Sequence, residues 1–375
     1  MVLEGLAEKR KTKPSIACTV TTDLTGDRRM QRICSSLAGF GYAPILVGRK
    51  LPNSLPFELE GVAIERLENK HLSGPKFYLE HNWNLFKILQ KFKPDAVYAV
   101  DADTLLAATL YTKTRGIPLI FDAHEYFSEL PELVNRPFVK GIWHWIEKVC
   151  IPQTNARFTV SEGLAEIMTA DFHTHFHTIR NIAPYKPERD KVYGAPYFVY
   201  AGAVNIGRGM DLLVSIAEQL PYPVHIIGNG DVLPWLKSEI EKNPILKEKL
   251  IIRGFLPPLE MEEVIANAFA GLSFVAPMGE SYTQSLGNKF FDYIQARLPQ
   301  ICPALPAYQE VLQKYEIGIA TPYEANAVLT AMQKLVNEPH YYKTLKANTH
   351  LAAQEYCWEN ESAKLSAILQ QVIPV

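Results

Sequence analysis

Short apolar runs alternate along the chain with stretches in which apolar residues recur at helical spacing. In the first half, strand-like runs lie at Ile16–Val20, Pro44–Val47, Ala96–Val100, Leu119–Phe121 and Phe158–Val160. Helical stretches lie between them at Asp27–Gly39, Pro75–Phe92, Thr104–Thr114 and Val139–Cys150. Apolar strands separated by amphipathic helices are typical of parallel sheets with crossover helices, so the pattern predicts an α/β fold.

The alternation stops once and then resumes. Residues 183–196 contain three prolines, a glycine and a charge cluster, which is the composition of a linker. Further strands are predicted at Tyr197–Tyr200, Val224–Ile227, Leu250–Ile252, Leu272–Val275 and Gln300–Cys302, and the chain from Glu324 onward is predicted to be mostly helical. Two halves of similar size indicate two Rossmann-like domains that face each other across a cleft. Ligands of such sheets bind at the carboxyl ends of the strands.

The composition narrows the class of protein. An apolar content of 47%, a charged content of 21% and a net charge of −2 are typical of a soluble globular protein and argue against a nucleic-acid binder. Five scattered cysteines without metal-ligand spacing indicate buried thiols in a reducing compartment. We see no signal peptide and no run long enough to span a bilayer. We therefore expect a cytoplasmic protein.

The stretch Gly279–Pro299 contains the largest group of candidate ligand-binding residues. It leads from an apolar strand through a polar loop into an amphipathic helix that begins near Gly287, Asn288 and Lys289. A helix N-terminus offers unpaired N–H groups and a positive dipole end, which suit a phosphate. Asp292, about one turn further on, can accept hydrogen bonds from the diol of a ribose. The stretch predicts a nucleotide-diphosphate pocket, although an ordinary strand–loop–helix unit with a solvated Asp292 also fits.

Four other sites follow predicted strands. His124, in the run Phe121–Glu125, can donate a hydrogen bond into the cleft and titrates near neutrality, or it can be a loop residue only. The loop after Tyr197–Tyr200 carries Gly202 and Arg208, which suit the close approach and neutralisation of a diphosphate. Gly228 lies in a turn before a helix that Asp231 is predicted to cap, and Arg253 is placed near the base.

Two further features favour structural explanations. The sequence Asp101-Ala102-Asp103 could hold Mg²⁺ or Mn²⁺, but it lies far along the chain from the phosphate loop, and Asp103 can be the N-cap of the next helix. We therefore predict no metal. The helix around Phe138–Lys148 mixes aromatic residues with a few cations, and core packing explains it better than docking on a membrane surface.

Taken in order, these motifs resemble the GT-B glycosyltransferases, and specifically glycosyltransferase family 4. The resemblance rests on F-D-A-H-E at 121–125, T-V-S-E-G-L at 159–164, Y-A-G-A-V-N-I-G-R-G-M-D-L-L at 200–213, I-I-G-N-G-D at 226–231 and the 279–299 stretch. It implies domains at 1–184 and 198–358, a linker at 185–197, and a terminal helix at 359–375 that crosses back onto the first domain.

The resemblance also implies roles for matched positions. His124 matches the histidine near the anomeric carbon of the donor sugar. Arg208 matches the phosphate-binding lysine of the family. Gly287 matches the glycine whose following amides face the distal phosphate. Asp292 matches the second glutamate of a pair that holds the ribose. The sequence departs from the family where Gln284 replaces the first glutamate and Ala203 replaces an arginine, and where Asp292 is shorter than glutamate. Lys289 is the candidate for the missing cation.

The implied activity is a retaining, metal-independent transfer from a nucleotide-diphosphate sugar to a glycan or lipid-linked acceptor, in surface polysaccharide synthesis. No cofactor is expected, and peripheral contact with the inner face of the membrane stays open. Two alternatives remain: a sugar-nucleotide 2-epimerase of the same fold, and a binding protein without catalysis, to which Gln284 and Ala203 would point. An incubation with nucleotide sugar and no acceptor separates the epimerase from the transferase.

Overall fold

The computed structural model describes residues 13–130, 133, 136–188, 194–277 and 286–375. Its first half is a parallel sheet with the strand order β3-β2-β1-β4-β5-β6-β7. The strands are β1 Ser15–Asp23, β2 Ala43–Lys50, β3 Ala63–Glu68, β4 Ala96–Val100, β5 Leu119–Ala123, β6 Ala156–Thr159 and β7 His177–Thr178. Apolar residues fill β4 and β5 almost entirely, as expected for strands covered on both faces.

Helices cover both faces of this sheet. They are α1 Arg28–Gly39, α2 Gly74–Phe92, α3 Asp101–Arg115, α4 Pro137–Cys150 and α5 Glu162–Phe172. One buried cluster joins α2, α3, α4 and α5 to the sheet, and a second joins α1 to its other face. The first sheet is therefore the middle layer of three.

The second half repeats the plan with the strand order β10-β9-β8-β11-β12-β13, also parallel. Its strands are β8 Phe198–Ala201, β9 Val224–Ile227, β10 Leu250–Gly254, β11 Ala270–Leu272, β12 Gln300–Pro303 and β13 Gly318–Thr321. Its helices are α6 Met210–Ile216, α7 Leu233–Lys242, α8 Pro244–Lys249, α9 Pro258–Asn267, α10 Asn288–Gln295, α11 Pro306–Tyr315, α12 Ala325–Asn337 and α13 Pro339–Glu355. The predicted fold of two Rossmann-like units is confirmed.

The last helix, α14 Trp358–Val372, packs on the first sheet rather than the second. Trp358 Nε1 donates to Ser36 Oγ of α1 at 2.9 Å, and Tyr42 donates its hydroxyl hydrogen to the carbonyl of Ile373 at 2.7 Å. The chain thus crosses back to the half from which it started, and the two halves are joined twice. In the described residues, no helix is long and apolar enough to cross a membrane.

Several local predictions were wrong. Asp103 does not cap a helix, because α3 already begins at Asp101 and Asp103 lies buried in its first turn. Asp231 does not cap α7, because the helix begins two residues later, after Val232. Strand β3 was not predicted, since its half-exposed, alternating pattern contains three charged residues, and the short strands β7 and β13 were missed as well.

Candidate active site

The carboxyl ends of the two sheets face each other across a cavity of about 880 Å³. Of the predicted site residues, those that line it are His124, Gly202, Arg208, Gly287, Asn288, Lys289 and Asp292. Ala203, a departure from the family pattern, lines it as well. The structure therefore brings together residues that are up to 168 positions apart in the chain, from His124 to Asp292.

Three predicted residues are placed differently. Gly228 lies behind the cavity wall, and Arg253 is exposed outside it, with Nη2 3.4 Å from His225 Nδ1. Gln284 lies outside the described residues. The roles predicted for Arg253 and Gln284 stay predictions.

His124 follows β5 and is held between two carboxylates. Its backbone N–H donates to Asp101 Oδ1 at 2.8 Å, its Nε2 lies 3.2 Å from Asp122 Oδ2, and its Nδ1 lies 4.0 Å from Asp101 Oδ2. Burial acts to lower the pKa of His124, but the charges of Asp122 and Asp101 outweigh burial and raise that pKa. The two neighbouring carboxylates therefore favour the charged form of the ring.

Asp122 is the buried carboxylate that contacts this histidine from the side of the sheet. It is fully buried and receives Arg29 Nη2 at 2.7 Å and the hydroxyl of Tyr98 at 2.9 Å. Burial alone would raise the pKa of Asp122, but the charges of Arg29 and His124 hold that pKa well below its usual range. Asp122 therefore stays ionised, and its buried charge is compensated by a cation and several hydrogen bonds, as a buried carboxylate requires.

Arg29 orients the histidine as well as the carboxylate. Its Nε–H donates to Asp122 Oδ2 at 3.2 Å and to His124 Nε2 at 2.9 Å, so one N–H group is shared between the carboxylate and the ring. The same guanidinium donates to the carbonyl of Ile179. These bonds hold the side chain of Arg29, which comes from α1, against β5 and the segment after β7. They also restrict the orientation of the imidazole ring.

Asp101 is the second carboxylate at His124. Its backbone is left-handed, with φ of +54°, although it is not a glycine. Left-handed backbone at a non-glycine residue is strained, and such strain collects at functional sites. Burial raises the pKa of the Asp101 carboxyl above its usual value. The carboxylate lines the cavity, so it can accept a hydrogen bond from a bound hydroxyl.

The other wall begins with the glycine-rich loop after β8. Gly202 has φ of +150° and Gly228 has φ of +137°, and both conformations favour glycine. A Cβ on Gly228 would lie 1.9 Å from the carbonyl oxygen of Gly202. The structure therefore uses Gly228 to support the Gly202 loop from behind. That is a packing role rather than a direct contact with a ligand.

Lys289, in the first turn of α10, carries a buried amine that faces the cavity. Its side chain is 8% exposed, and within the described residues its Nζ has no hydrogen-bond partner. The ammonium lies over the ring of Tyr200, 3.8 Å from the centroid, and next to Gly202, where a Cβ would lie 3.4 Å from Nζ. Burial and the nearby charge of Arg208 lower the pKa of Lys289 well below its usual value. A buried cation in this position is stabilised only when an anion joins it.

Asp292 lies one turn further along α10 and is half-buried. Burial raises the pKa of its carboxyl, against the charges of Lys186, Arg28 and Arg32. Nearby, Asn181 from the first half donates to Asn288 Oδ1 at 2.9 Å, so the two walls touch at the N-terminus of α10. The hydroxyl of Tyr308 accepts a hydrogen bond from Gly287 N at 3.2 Å. These contacts fix the helix start beside the cleft.

The Asp101-Ala102-Asp103 sequence does not form a paired ligand set. Asp103 accepts a hydrogen bond from Thr21 Oγ1, and burial raises its pKa to about 7, while Asp101 is bonded to His124. Over the described ranges, no group of three or more His, Cys, Asp or Glu side chains could hold a metal ion.

Comparison with known proteins agrees with this geometry. Residues 26–183 match the family model described as Glycosyltransferase Family 4. Sucrose-phosphate synthase from Thermosynechococcus elongatus has a similar fold, with a TM-score of 0.76 at 15% identity over 96% of this chain and 98% of that one. These matches indicate a glycosyltransferase of the GT-B fold.

Other solved structures give the same picture. HepE from Anabaena, solved in complex with UDP-glucose, matches with a TM-score of 0.73 at 12% identity over 95% of this chain and 99% of its own. WaaG, a glycosyltransferase involved in lipopolysaccharide biosynthesis, matches with a TM-score of 0.70 at 12% identity over 96% and 100%. No curated protein sequence matches the chain. At these identities the solved structures establish the GT-B fold and no finer property.

Proposed function

We propose that the chain is a retaining, metal-independent glycosyltransferase that uses a nucleotide-diphosphate sugar as donor and a glycan or lipid-linked hydroxyl as acceptor. The observation that carries the proposal is the buried ammonium of Lys289, which faces the cleft without a hydrogen-bond partner among the described residues. An unpaired buried cation beside a helix N-terminus is a site for a multiply charged anion.

The remaining donor contacts follow from this anion. A diphosphate between Lys289 and Arg208 would accept hydrogen bonds from the backbone amides that follow Gly287, and its charge would be offset on three sides. Asp292, one helical turn away, accepts the two hydroxyls of the ribose. The sugar then extends towards the opposite wall, where His124 and Asp101 line the same cavity.

For the chemistry, we propose attack on the face from which the donor leaves. The acceptor oxygen bonds to the anomeric carbon as the bond between that carbon and the phosphate oxygen breaks. The electron pair stays on the departing nucleoside diphosphate, whose oxygen takes the proton of the acceptor hydroxyl. Lys289 and Arg208 stabilise the charge that develops on the diphosphate, and such electrostatic stabilisation usually contributes most to catalysis. His124 positions the sugar.

The compartment and pathway are proposals of the same kind. All five cysteines are free and buried, which fits a reducing compartment such as the cytoplasm. We place the enzyme at the inner face of the membrane, in surface polysaccharide synthesis. Two proteins of similar fold are described as a glycosyltransferase involved in lipopolysaccharide biosynthesis (WaaG) and a lipopolysaccharide outer core galactosyltransferase (WaaB). They support the proposal by analogy only.

The direct test is a thermal-shift screen of nucleoside diphosphates and their sugars, with and without EDTA. A ligand that binds only the folded state raises the melting temperature. We expect one nucleoside diphosphate to do so equally in both conditions, followed by glycosyl transfer that EDTA does not slow. Loss of transfer in EDTA, restored by Mn²⁺, would contradict metal independence. Stabilisation by none of these ligands would contradict the donor class.

One observation favours the sugar-nucleotide 2-epimerase instead. Asp101 and His124 together form an acid–base pair on the sugar side of the cleft. Epimerisation needs a proton to be removed from the sugar and returned to it, which such a pair can do. Incubation with nucleotide sugars and no acceptor separates the two. A transferase leaves the sugar configuration intact, whereas an epimerase produces a new sugar nucleotide.

A further inference from the structure

Helix α4 has two apolar faces, and the core of the first half covers only one of them. Trp143, Ile146 and Cys150 are buried in the core of the first half. On the opposite side lie exposed apolar residues at intervals of three or four positions: Phe138, Ile142, Trp145 and Val149. Phe138 is 80% exposed and Trp145 is 59% exposed. Core packing, the explanation favoured by the sequence, therefore accounts for one face of α4 only.

The neighbouring helices extend this surface. Ring centroids of Tyr78 in α2 and Trp143 in α4 are 4.8 Å apart, so the two helices meet within one layer. From the same layer, α2 exposes Leu79 and Trp83, and α3 exposes Leu110. Together with the four residues of α4, these side chains define what we call the α2–α4 face. Exposed apolar groups clustered on one face, rather than scattered singly, mark an interaction surface.

The charge of the α2–α4 face has one sign. The exposed charged side chains of the three helices, all of which are fully described, are Lys76, Lys87, Lys91, Lys113, Arg115 and Lys148. The four acidic residues of these helices are not exposed. Glu80 is bonded to the loop at His71, Asp103 and Glu147 are buried, and Asp101 belongs to the cleft.

We propose that the α2–α4 face docks side-on onto an anionic lipid bilayer. Aromatic and aliphatic side chains enter the boundary of the headgroups, while the lysines bind anionic lipid, the combination that holds interfacial helices on membranes. A second copy of the chain fits less well, because a twofold dimer through this face would oppose lysine to lysine. Helix α4 alone exposes a single lysine, Lys148, and the basic set that binds the lipid comes mainly from α2 and α3.

Docking in this orientation suits a lipid-linked acceptor, a link that rests on the proposed function. Helix α4 follows the loop that begins at His124, so the α2–α4 face and the cleft belong to the same half of the molecule. A lipid-linked acceptor could then reach the cleft without leaving the bilayer. The docking itself is independent of the reaction and can be tested without any substrate.

The test is co-sedimentation of the whole protein with vesicles of phosphatidylcholine alone or mixed with phosphatidylglycerol. We expect binding to the mixed vesicles that salt weakens, since surface attraction is screened over the Debye length. The double variant Phe138→Ser/Trp145→Ser and the charge variant Lys113→Glu/Lys148→Glu should each reduce binding about tenfold or more, given about fivefold for each basic charge near the surface. Trp235→Ser changes an exposed tryptophan of the second half and serves as the matched control.

Each outcome decides the proposal. The melting temperature should be unchanged in all three variants, which shows that they are folded. The proposal is overturned when the native protein ignores anionic vesicles, or when Trp235→Ser loses as much binding as the double variant. It is equally overturned when light scattering shows a dimer that the Phe138→Ser/Trp145→Ser variant abolishes, because the face would then bind a second copy.

Discussion

On the first-sheet wall of the cleft, Asp122 is buried among its own partners, Arg29, Tyr98 and His124, whereas on the second-sheet wall Lys289 is buried with no hydrogen-bond partner among the described residues. The first wall is complete before any ligand arrives. The second wall is left with a buried amine whose charged form an anionic ligand would stabilise. We therefore propose that the first wall, the positioning wall, orients the donor sugar and that the second wall, the binding wall, holds the diphosphate.

The strongest loss of activity should come from the positioning wall. His124→Ala should lower the rate of glycosyl transfer by about 10²- to 10⁴-fold, the range for a positioned catalytic side chain. Nucleoside-diphosphate affinity should change little, because the phosphate contacts lie on the other wall. Steady-state kinetics and calorimetry on the same preparation measure both. Glu125→Ala is the control for the loop, and a near-normal rate for His124→Ala would leave this histidine as a loop residue only.

Next in size is the loss of the unpaired cation. Lys289→Met should weaken nucleoside-diphosphate binding by about 1.5–3 kcal/mol, the range for a charge-assisted contact. Lys247→Met, on an exposed face of the second half, is the matched control. Calorimetric titration compares the two variants, and equal affinities would remove Lys289 from the phosphate site.

The same substitution should stabilise the empty protein. Because the pKa of Lys289 is lowered in the fold, its ammonium costs folding free energy at every pH below the unfolded value of about 10.4. The cost grows as the pH falls towards the lowered folded value. Lys289→Met should therefore raise the free energy of unfolding at neutral pH, and the gain should vanish in strongly alkaline solution. A variant less stable than the native protein at neutral pH would contradict the assignment.

Asp292 tests the ribose contact on the binding wall. Asp292→Ala should weaken nucleoside-diphosphate binding by about 1.5–3 kcal/mol, through the loss of charge-assisted hydrogen bonds. The 2′-deoxy form of the nucleotide gives a sharper comparison. It should bind the native protein less tightly than the ribonucleotide does, whereas Asp292→Ala should bind both forms with equal affinity. Calorimetry that finds unchanged affinity in Asp292→Ala would exclude the contact.

A smaller effect is expected for Asp101, whose charge acts on the pKa of His124 in the positioning wall. Asp101→Asn removes one of the two charges that raise the pKa of His124, so this pKa should fall. Below the lower of the two pKa values the imidazole is charged in both proteins, and the difference lies between the two values, where only the native histidine is protonated. NMR titration of the ring protons measures this shift. An unchanged His124 pKa in Asp101→Asn would reduce Asp101 to its bond with the backbone of His124.

Sequence reasoning found the parts of the site that depend on local order. His124 follows a strand, and Asp292 lies one turn after the start of a helix, and both patterns are visible within a few residues. Arg29 was not predicted, because an arginine in an amphipathic helix resembles a solvated residue, and its partner Asp122 lies 93 positions away. The strain at Asp101 is a property of the backbone, and the sequence carries no sign of it.

The same limit explains the α2–α4 face. The segment Phe138–Lys148 has few cations, too few on their own for a membrane-binding face, so its sequence favoured core packing. Which face of α4 is buried depends on its packing against other helices, such as the contact between Trp143 of α4 and Tyr78 of α2. The fold itself was easier to predict, because each apolar strand and each crossover helix is a local pattern repeated along the chain.

The proposed site depends above all on an incoming diphosphate that supplies the missing partner of Lys289. Because the pKa of this lysine is lowered in the empty protein, a bound diphosphate should raise it and binding should take up a proton. Calorimetry of nucleoside-diphosphate binding, repeated in buffers of different ionisation enthalpy from neutral to alkaline pH, measures that uptake. We predict proton uptake in the native protein and in Lys247→Met, and its loss in Lys289→Met. Equal uptake in all three proteins would show that the diphosphate does not pair with Lys289.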